Sequence, residues 1–258
     1  MGKVIAIANQ KGGVGKTTTA INLSASLAAA EKRVLLIDID PQGNTTSGFG
    51  IDRESLQINL YHQFIGEAQM SDIRIKTMLS CLDIIPSSID LIGAEVELIG
   101  RDNRERILER AVSPLKNEYE FIIIDCPPSL GFLTLNALTA SDTVLIPVQC
   151  EYYAMEGLGL LLNTVRRIQQ SFNPYLRIEG ILLTMHDVRN NISHQVIEEV
   201  RRHFEDKVFE TVIPRNVTLS EAPSHGKPVI LYDVRSRGAQ SYLSLAKEVM
   251  DNAKNGVR

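Results

Sequence analysis

The chain has 258 residues, of which 44% are hydrophobic and 22% charged, with a net charge of −4 at pH 7. This composition fits a globular intracellular protein with a large core and argues against indiscriminate binding of nucleic acid. There is no signal peptide and no run of 18 apolar residues, so we expect no membrane span. Three isolated cysteines predict reduced thiols in the cytoplasm rather than a disulfide scaffold or zinc site: Cys81, Cys126 and Cys150.

The charge is uneven along the chain. Residues 1–159 carry a net charge of −7, whereas residues 160–258 carry +3. Any basic surface is therefore expected in the C-terminal part.

The first predicted elements enclose a glycine-rich loop at residues 11–18. Residues 4–8 are a short apolar run typical of a buried strand, and residues 17–30 have the apolar spacing of a helix. Glycines let the backbone amides of such a turn converge, and the start of the helix adds partial positive charge. The loop therefore predicts a phosphate site. Its glycines are Gly12, Gly13 and Gly15.

Two lysines make this loop unusual. Lys16 is placed to reach the β- and γ-phosphates of a nucleotide, and the hydroxyl of Thr17 is placed to hold magnesium. The common phosphate-loop pattern has a glycine where this chain has Gln10, and Lys11 is an additional lysine five positions before Lys16. The loop is thus a variant, and its extra lysine points to a site completed by another subunit.

The rest of the chain alternates between strand and helix patterns. We predict an α/β fold with a single domain over residues 1–258, built on a mostly parallel twisted sheet flanked by helices on both faces, as in P-loop NTPases. The further strands are 34–37, 82–85, 121–124, 144–148, 178–185 and 208–213, and the further helices are 104–115, 133–140, 155–170, 195–204 and 240–252.

Aspartates follow two of these strands, at the sheet edge where ligands bind in such folds. Asp38 and Asp40 follow strand 34–37, and Asp125 follows strand 121–124. A single aspartate after an apolar run suits a magnesium site, while Asp40 is better suited to orienting an attacking water. The alternative, that an aspartate only caps the next turn, stays open, above all for Asp38.

Together with the loop, four further segments resemble the ParA/Soj chromosome-partitioning ATPases of the deviant Walker A, MinD-like group. The resemblance covers nearly the whole chain, and the last two segments are specific to the Soj branch. The segments are 35–43, 123–129, 212–216 and 219–224.

The resemblance implies roles for individual residues. It implies that Lys11 contacts ATP across a homodimer interface, that Lys16 serves its own subunit, that Asp40 is needed for hydrolysis, and that Thr17 and Asp125 bind Mg²⁺. Residues 40–46 and 125–132 correspond to two switches that sense the γ-phosphate. The implied ATP-binding residues are Lys11, Gly12, Gly13, Val14, Gly15, Lys16, Thr17 and Thr18, with Met185, Pro214 and Asn216 around the adenine.

The family's function, carried over, is ATP-dependent partitioning of a chromosome or plasmid. In this family, ATP binding joins two subunits in a sandwich dimer that binds double-stranded DNA without sequence preference. ATP hydrolysis is weak in the protein alone and is stimulated by a ParB/Spo0J-type partner, and it releases the dimer. The expected location is cytoplasmic and nucleoid-associated. The candidate DNA contacts are Arg189, Lys227, Arg235 and Arg237. Arg201 and Arg202 have acidic neighbours and fit a solvated helix face. Thr218 stands where some relatives have a basic residue.

Two other functions were weighed. A MinD-like membrane-associated ATPase would need a C-terminal amphipathic helix, but residues 242–258 carry an apolar stripe typical of a helix packed on its own domain. We therefore expect no membrane-targeting helix and no stable membrane association. A regulatory module without catalysis is disfavoured by Lys16, Thr17, Asp40 and Asp125. Because the loop begins ten residues from the start, no N-terminal helix-turn-helix is expected.

Overall fold

A computed structural model describes residues 1–151 and 154–254, without the side chain of Glu156. In these residues eight strands form a sheet in the order β3-β4-β2-β5-β1-β6-β7-β8. Neighbouring strands are parallel except for the pair of β3 and β4. The strands are β1 (Lys3–Ile7), β2 (Val34–Asp38), β3 (Ile75–Lys76), β4 (Leu82–Ile85), β5 (Phe121–Asp125), β6 (Thr143–Gln149), β7 (Arg177–His186) and β8 (Val208–Pro214).

Helices connect the strands and cover both faces of the sheet. They are α1 (Lys16–Ala29), α2 (Asn44–Gly48), α3 (Leu60–Ile65), α4 (Met70–Ile73), α5 (Leu91–Glu97), α6 (Ile107–Val112), α7 (Phe132–Ala140), α8 (Ala154–Ser171), α9 (Asn191–Phe204), α10 (Val217–Glu221), α11 (Val229–Tyr232) and α12 (Arg237–Lys254). The predicted α/β fold with a mostly parallel, helix-flanked sheet is confirmed.

The continuous apolar runs of the central strands follow from this double cover. Every residue of β5 is buried, because successive side chains of a strand point to opposite faces and helices pack on both. Ile122 and Ile124 join a core with α3, α5 and α7, whereas Ile123 joins a second core with α1 and α12. The two cores hold the strand ends in fixed positions.

The strand register places two aspartates side by side. Asp38 at the end of β2 pairs with Asp125 at the end of β5, and Asp125 also lies beside Ile7 at the end of β1. The glycine loop follows β1 directly, so it lies next to both carboxylates. The parallel topology therefore assembles the site from segments more than 100 residues apart in sequence.

Several local expectations differ from the structure. The predicted helix 104–115 is broken into a 3-10 turn at Arg104–Arg106, α6, and a second 3-10 helix at Ser113–Asn117. Pro114 explains the second break, since it lacks the amide proton that an α-helix needs. The short elements α2, α3, α4, β3 and α5 were not predicted, because two to seven residues carry too little periodicity.

The C-terminal helix packs on its own domain, as its apolar stripe predicts. Tyr242, Leu245 and Val249 of α12 are buried in the second core. None of the helices in the described ranges is long and apolar enough to cross a membrane. The last residues of the predicted tail, 255–258, lie outside the described part of the chain.

A glycine pair joins the segment after α2 to the region before α11, and it gives a test of the fold. Gly226 has a φ of +62°, and a Cβ there would lie 2.6 Å from the Cα of Gly50. Gly100 also has a positive φ, +86°, but a Cβ there would meet nothing within 4 Å. We expect Gly100→Ala to lower the free energy of unfolding by about 1 kcal/mol. Gly226→Ala should lower it by roughly 1–3 kcal/mol more, because of the added clash.

Urea unfolding of the two variants and the wild type measures both losses. Equal losses would show that the Gly50 and Gly226 backbones are not tightly packed.

Candidate active site

The glycine loop connects β1 to α1 in the conformation that anion binding requires. Gly13 and Gly15 have φ values of +72° and +88°, which favour glycine. Gly15 caps α1 without a side-chain hydrogen bond, and the first turn of α1 contains no acidic residue. Its amide groups and partial positive charge are therefore available to a phosphate.

Lys16 lies inside the site. Its residue is 7% exposed, and its ammonium donates a hydrogen bond of 3.1 Å to the carbonyl oxygen of Lys11. Burial lowers the pKa of the Lys16 ammonium, and the negative charges of Asp125 and Asp40 partly offset this effect. Lys16 is thus a buried cation among carboxylates.

Lys11 lies in a different environment. Its backbone amide donates to the Asn9 side-chain oxygen at 3.0 Å, and its ammonium lies 3.3 Å from a carboxylate oxygen of Glu151. The Lys11 and Glu151 side chains are 38% and 50% exposed, so this ion pair is weak and easily exchanged. The loop therefore presents one lysine inward and one at the surface.

The surroundings of Asp125 suit a cation ligand. Its Oδ2 accepts hydrogen bonds from the hydroxyls of Thr17 at 2.8 Å and Thr45 at 2.7 Å. Its Oδ1 is buried and has no hydrogen-bond partner among the described residues. Burial raises the pKa of the Asp125 carboxyl despite these two hydrogen bonds. A buried carboxylate oxygen without a partner, beside a threonine hydroxyl, is a donor set that fits Mg²⁺.

Asp38 holds the backbone after β2 in place. The amide and hydroxyl of Thr46 both donate to its Oδ2, at 2.8 and 2.6 Å. The amide of Asp40 donates to its Oδ1 at 3.3 Å. Burial raises the pKa of Asp38, and the neighbouring charge of Asp125 raises it further. Asp38 therefore has more than the turn-capping role that the sequence left open, because it fixes residues on both sides of a loop.

Asp40 faces the space where phosphates would lie. Its carboxylate accepts the amide of Gln42 at 3.0 Å, and its carbonyl accepts the hydroxyl of Ser87 at 2.5 Å. Asp40, Lys16 and Thr17 line a cavity of about 370 Å³. The predicted acidic, basic and hydroxyl groups of the site are thus together.

The three residues predicted around the adenine share a second cavity. Met185, Pro214 and Asn216 line a space of about 430 Å³ that also borders Gly15 and Thr18 of the loop. Met185 has a φ of +53°, an uncommon conformation for a residue with a side chain. Because Gly15, Thr18 and Met185 border both cavities, the two spaces are adjacent, as a nucleotide requires.

Some site residues were missed in the sequence. Thr45 and Thr46 lie in the expected switch segment, and the polar run after Gly43 could have singled them out. Thr184 bonds the carbonyl of Val14 through its hydroxyl at 2.9 Å, and Ser87 bonds Asp40. Neither of these two has a local signal, since each meets its partner only in the folded sheet.

The predicted DNA contacts are all exposed. The Arg189 side chain is 85% exposed and makes two hydrogen bonds to Asp187, which hold the pKa of that carboxyl well below its usual range. Lys227, Arg235 and Arg237 lie around α11 and the start of α12. Within the described ranges no acidic side chain forms an ion pair with these last three residues.

The two adjacent threonines of the loop give a matched test of the magnesium site. We expect Thr17→Val to remove most of the gain in ATP affinity that Mg²⁺ provides, a loss of about tenfold, because the hydroxyl beside Asp125 is gone. Thr18→Val should keep that gain, since the hydroxyls that donate to Asp125 are those of Thr17 and Thr45. Titrating ATP with and without Mg²⁺ measures the ratio, and equal behaviour of the two variants would contradict the assignment.

Comparisons with known proteins show the family of this chain. A family model described as an AAA domain matches residues 2–178. The sporulation initiation inhibitor protein Soj of Bacillus subtilis is 62% identical over 252 residues, covering 98% of this chain and all of the relative. The chromosome partitioning protein ParA of Myxococcus xanthus is 57% identical, covering 97% of this chain and 88% of the relative.

The chain is also similar to a solved structure that contains a bound nucleotide. It is a Mycobacterium smegmatis protein described as cobyrinic acid a,c-diamide synthase, with a bound ATP analogue and magnesium. It is 38% identical, with a TM-score of 0.87, and the match covers 99% of this chain and 97% of that one. Taken with the near full-length matches to Soj and ParA, the fold and site show that this chain belongs to the ParA/Soj family of chromosome-partitioning ATPases.

Proposed function

We propose that ATP and Mg²⁺ bring two copies of this chain together as a sandwich dimer that binds double-stranded DNA without sequence preference. Hydrolysis of ATP, slow in the chain alone and accelerated by a ParB-type centromere-binding partner, then releases the dimer from DNA. The protein thereby moves or positions a chromosome or plasmid in the cytoplasm, in association with the nucleoid.

The observation that carries this proposal is the separation of the two loop lysines. Lys16 is buried among Asp40 and Asp125, where it can serve the phosphates of its own chain. Lys11 lies at the surface, held only by an exchangeable pair with Glu151. A second nucleotide facing this surface would supply the strong negative charge that Lys11 lacks, and the same contact from the other chain would complete the first site.

The chemistry follows from the buried groups. Thr17 and Asp125 would hold Mg²⁺, which would neutralise negative charge on the phosphates of ATP. Asp40 borders the phosphate cavity and is suited to orient the attacking water toward the γ-phosphate. The backbone amides of the loop and Lys16 stabilise the charge on the phosphates.

The loop after Asp40 can report the state of the nucleotide. Thr45 bonds Asp125 and Thr46 bonds Asp38, so the segment after Asp40 is tied to the carboxylates around the metal position. Loss of the γ-phosphate changes the charge that these carboxylates face. The segment then rearranges, and the contact that favours the dimer is lost.

The exposed arginines and lysine after β7 and around α11 support the DNA-binding step. Arg189, Lys227, Arg235 and Arg237 can contact phosphates, which bind protein without regard to sequence. The apolar side of α12 is buried in its own domain, so it is not available to a membrane. These residues therefore support DNA, rather than a membrane, as the partner that the dimer binds.

Variants at two site residues test the dimer. We expect Asp40→Ala to form a persistent dimer with ATP, because ATP binds but is not hydrolysed. Lys11→Ala should stay monomeric with ATP, because the contact across the interface is missing. Lys76→Ala, at an exposed lysine in β3, is the control and should behave as the wild type.

Analytical ultracentrifugation with ATP and Mg²⁺ distinguishes these states. An ATP-dependent dimer of Lys11→Ala as stable as that of the wild type would contradict the sandwich.

A charge reversal tests the DNA surface. We expect Arg189→Glu to dimerise with ATP yet bind plasmid DNA at least about tenfold more weakly, since each dimer carries two reversed charges. Arg202 is also exposed, but we expect it to face solvent rather than DNA, so Arg202→Glu should have a smaller effect. Gel shift at several salt concentrations measures both affinities, and unchanged binding by Arg189→Glu would remove this residue from the surface.

A further inference from the structure

One helix of the fold exposes an apolar face. In α5, Leu91 and Ala94 are buried in the core, whereas Ile92 and Val96 are 57% and 67% exposed. Ile89 before the helix and Ile99 after it continue the same spacing and are also exposed, at 55% and 69%. We name Ile89, Ile92, Val96 and Ile99 the α5 ridge. Apolar side chains clustered in this way on a surface mark an interaction site.

Acidic side chains surround the ridge. Four exposed carboxylates lie in the same stretch, and within the described ranges none of them forms an ion pair: Asp90, Glu95, Glu97 and Asp102. Arg101, an exposed cation of this stretch, donates to the carbonyl of Phe64 at 3.5 Å. An apolar ridge with an acidic rim is complementary to a segment whose apolar side chains are flanked by lysines or arginines.

The residues just before the ridge are hydrogen-bonded to the loop that contains Asp40 and Thr46. Ser87, just before the ridge, donates its hydroxyl to the carbonyl of Asp40 at 2.5 Å and its amide to the hydroxyl of Thr46 at 3.1 Å. Ser87 therefore links the residues that lead into α5 to Asp40 and Thr46.

We propose that the α5 ridge is the docking surface for a basic, apolar segment of the ParB-type partner, and that docking accelerates hydrolysis by moving Ser87 and with it Asp40. This inference rests on the proposed function, because it assigns the surface at which the ParB-type partner binds to stimulate hydrolysis. The apolar ridge and its acidic rim select the segment of the partner. The Ser87 hydrogen bonds transmit docking to Asp40.

The first experiment removes the apolar contact. We expect the double variant Val96→Glu and Ile99→Glu to keep basal hydrolysis and the ATP-dependent dimer. The concentration of purified ParB-type protein from the same organism that gives half-maximal stimulation should rise at least about tenfold. The control is Tyr175→Glu, which should respond as the wild type. Tyr175 is 84% exposed and lies in the loop before β7, in the other half of the sheet from α5.

Two more variants separate docking from its effect. Glu95→Lys with Asp102→Lys should also raise the half-maximal concentration, because the rim then repels a basic segment. Ser87→Ala should leave that concentration unchanged but lower the maximal stimulation, since docking no longer reaches Asp40. The milder pair Val96→Ser and Ile99→Ser replaces the glutamates if these lower the thermal stability.

The outcomes are distinct. Stimulation of the Val96→Glu and Ile99→Glu variant at wild-type concentrations overturns the docking surface and leaves the proposed function intact. Loss of its ATP-dependent dimer without loss of folding assigns the ridge to a second copy of this chain and also overturns the proposal. A wild-type protein that the ParB-type partner does not stimulate contradicts the proposed function itself.

Discussion

Three carboxyl groups and one ammonium are buried together where the strands end, and the rest of the site depends on the cost of keeping these groups charged there. Asp38 and Asp125 are fully buried, and Asp40 and Lys16 are each 7% exposed. Burial raises the pKa of Asp38 and Asp125 and lowers that of Lys16, so each group is costly in its charged form. A divalent cation at the free oxygen of Asp125 would favour the ionised form of that carboxyl, and phosphates would in turn offset the charge of the cation. The buried groups of the site are therefore suited to bind a nucleotide together with a divalent cation.

Hydrogen bonds connect the buried carboxyl groups to the segment that precedes α5. Thr45 and Thr46 attach one loop to two of the carboxylates, and Ser87 attaches that loop to the segment that leads into α5. These buried hydrogen bonds measure 2.5 to 3.1 Å and hold the loop to groups on both sides of it. A change of charge at the phosphates is therefore expected to move the loop between discrete states, which is the kind of element that nucleotide switches use.

Much of the fold and of the inner site could be predicted from the sequence, since both depend on local patterns. The apolar strands, the glycine loop and the aspartates at the strand ends follow from periodicity and from the topology of parallel sheets. The contacts of Ser87, Thr184 and Glu151 could not be predicted, because each meets its partner only across the folded sheet. The exposed α5 ridge was also missed: a helix of seven residues is too short for a periodic signal, and its outer apolar residues look like core positions in the sequence.

Mixing two inactive variants tests most directly whether each ATP site is shared by two chains. Lys16→Ala lacks the lysine that holds its own ATP, and Lys11→Ala lacks the lysine that would reach the partner's ATP. In a mixed dimer the Lys11→Ala chain keeps Lys16 and receives Lys11 from the other chain, so one complete site forms. We predict that each variant alone has no ATPase activity above background, even with DNA and the ParB-type partner, and that the mixture regains activity. A mixture as inactive as its components, or a Lys11→Ala protein that hydrolyses ATP as the wild type does, would contradict a shared site.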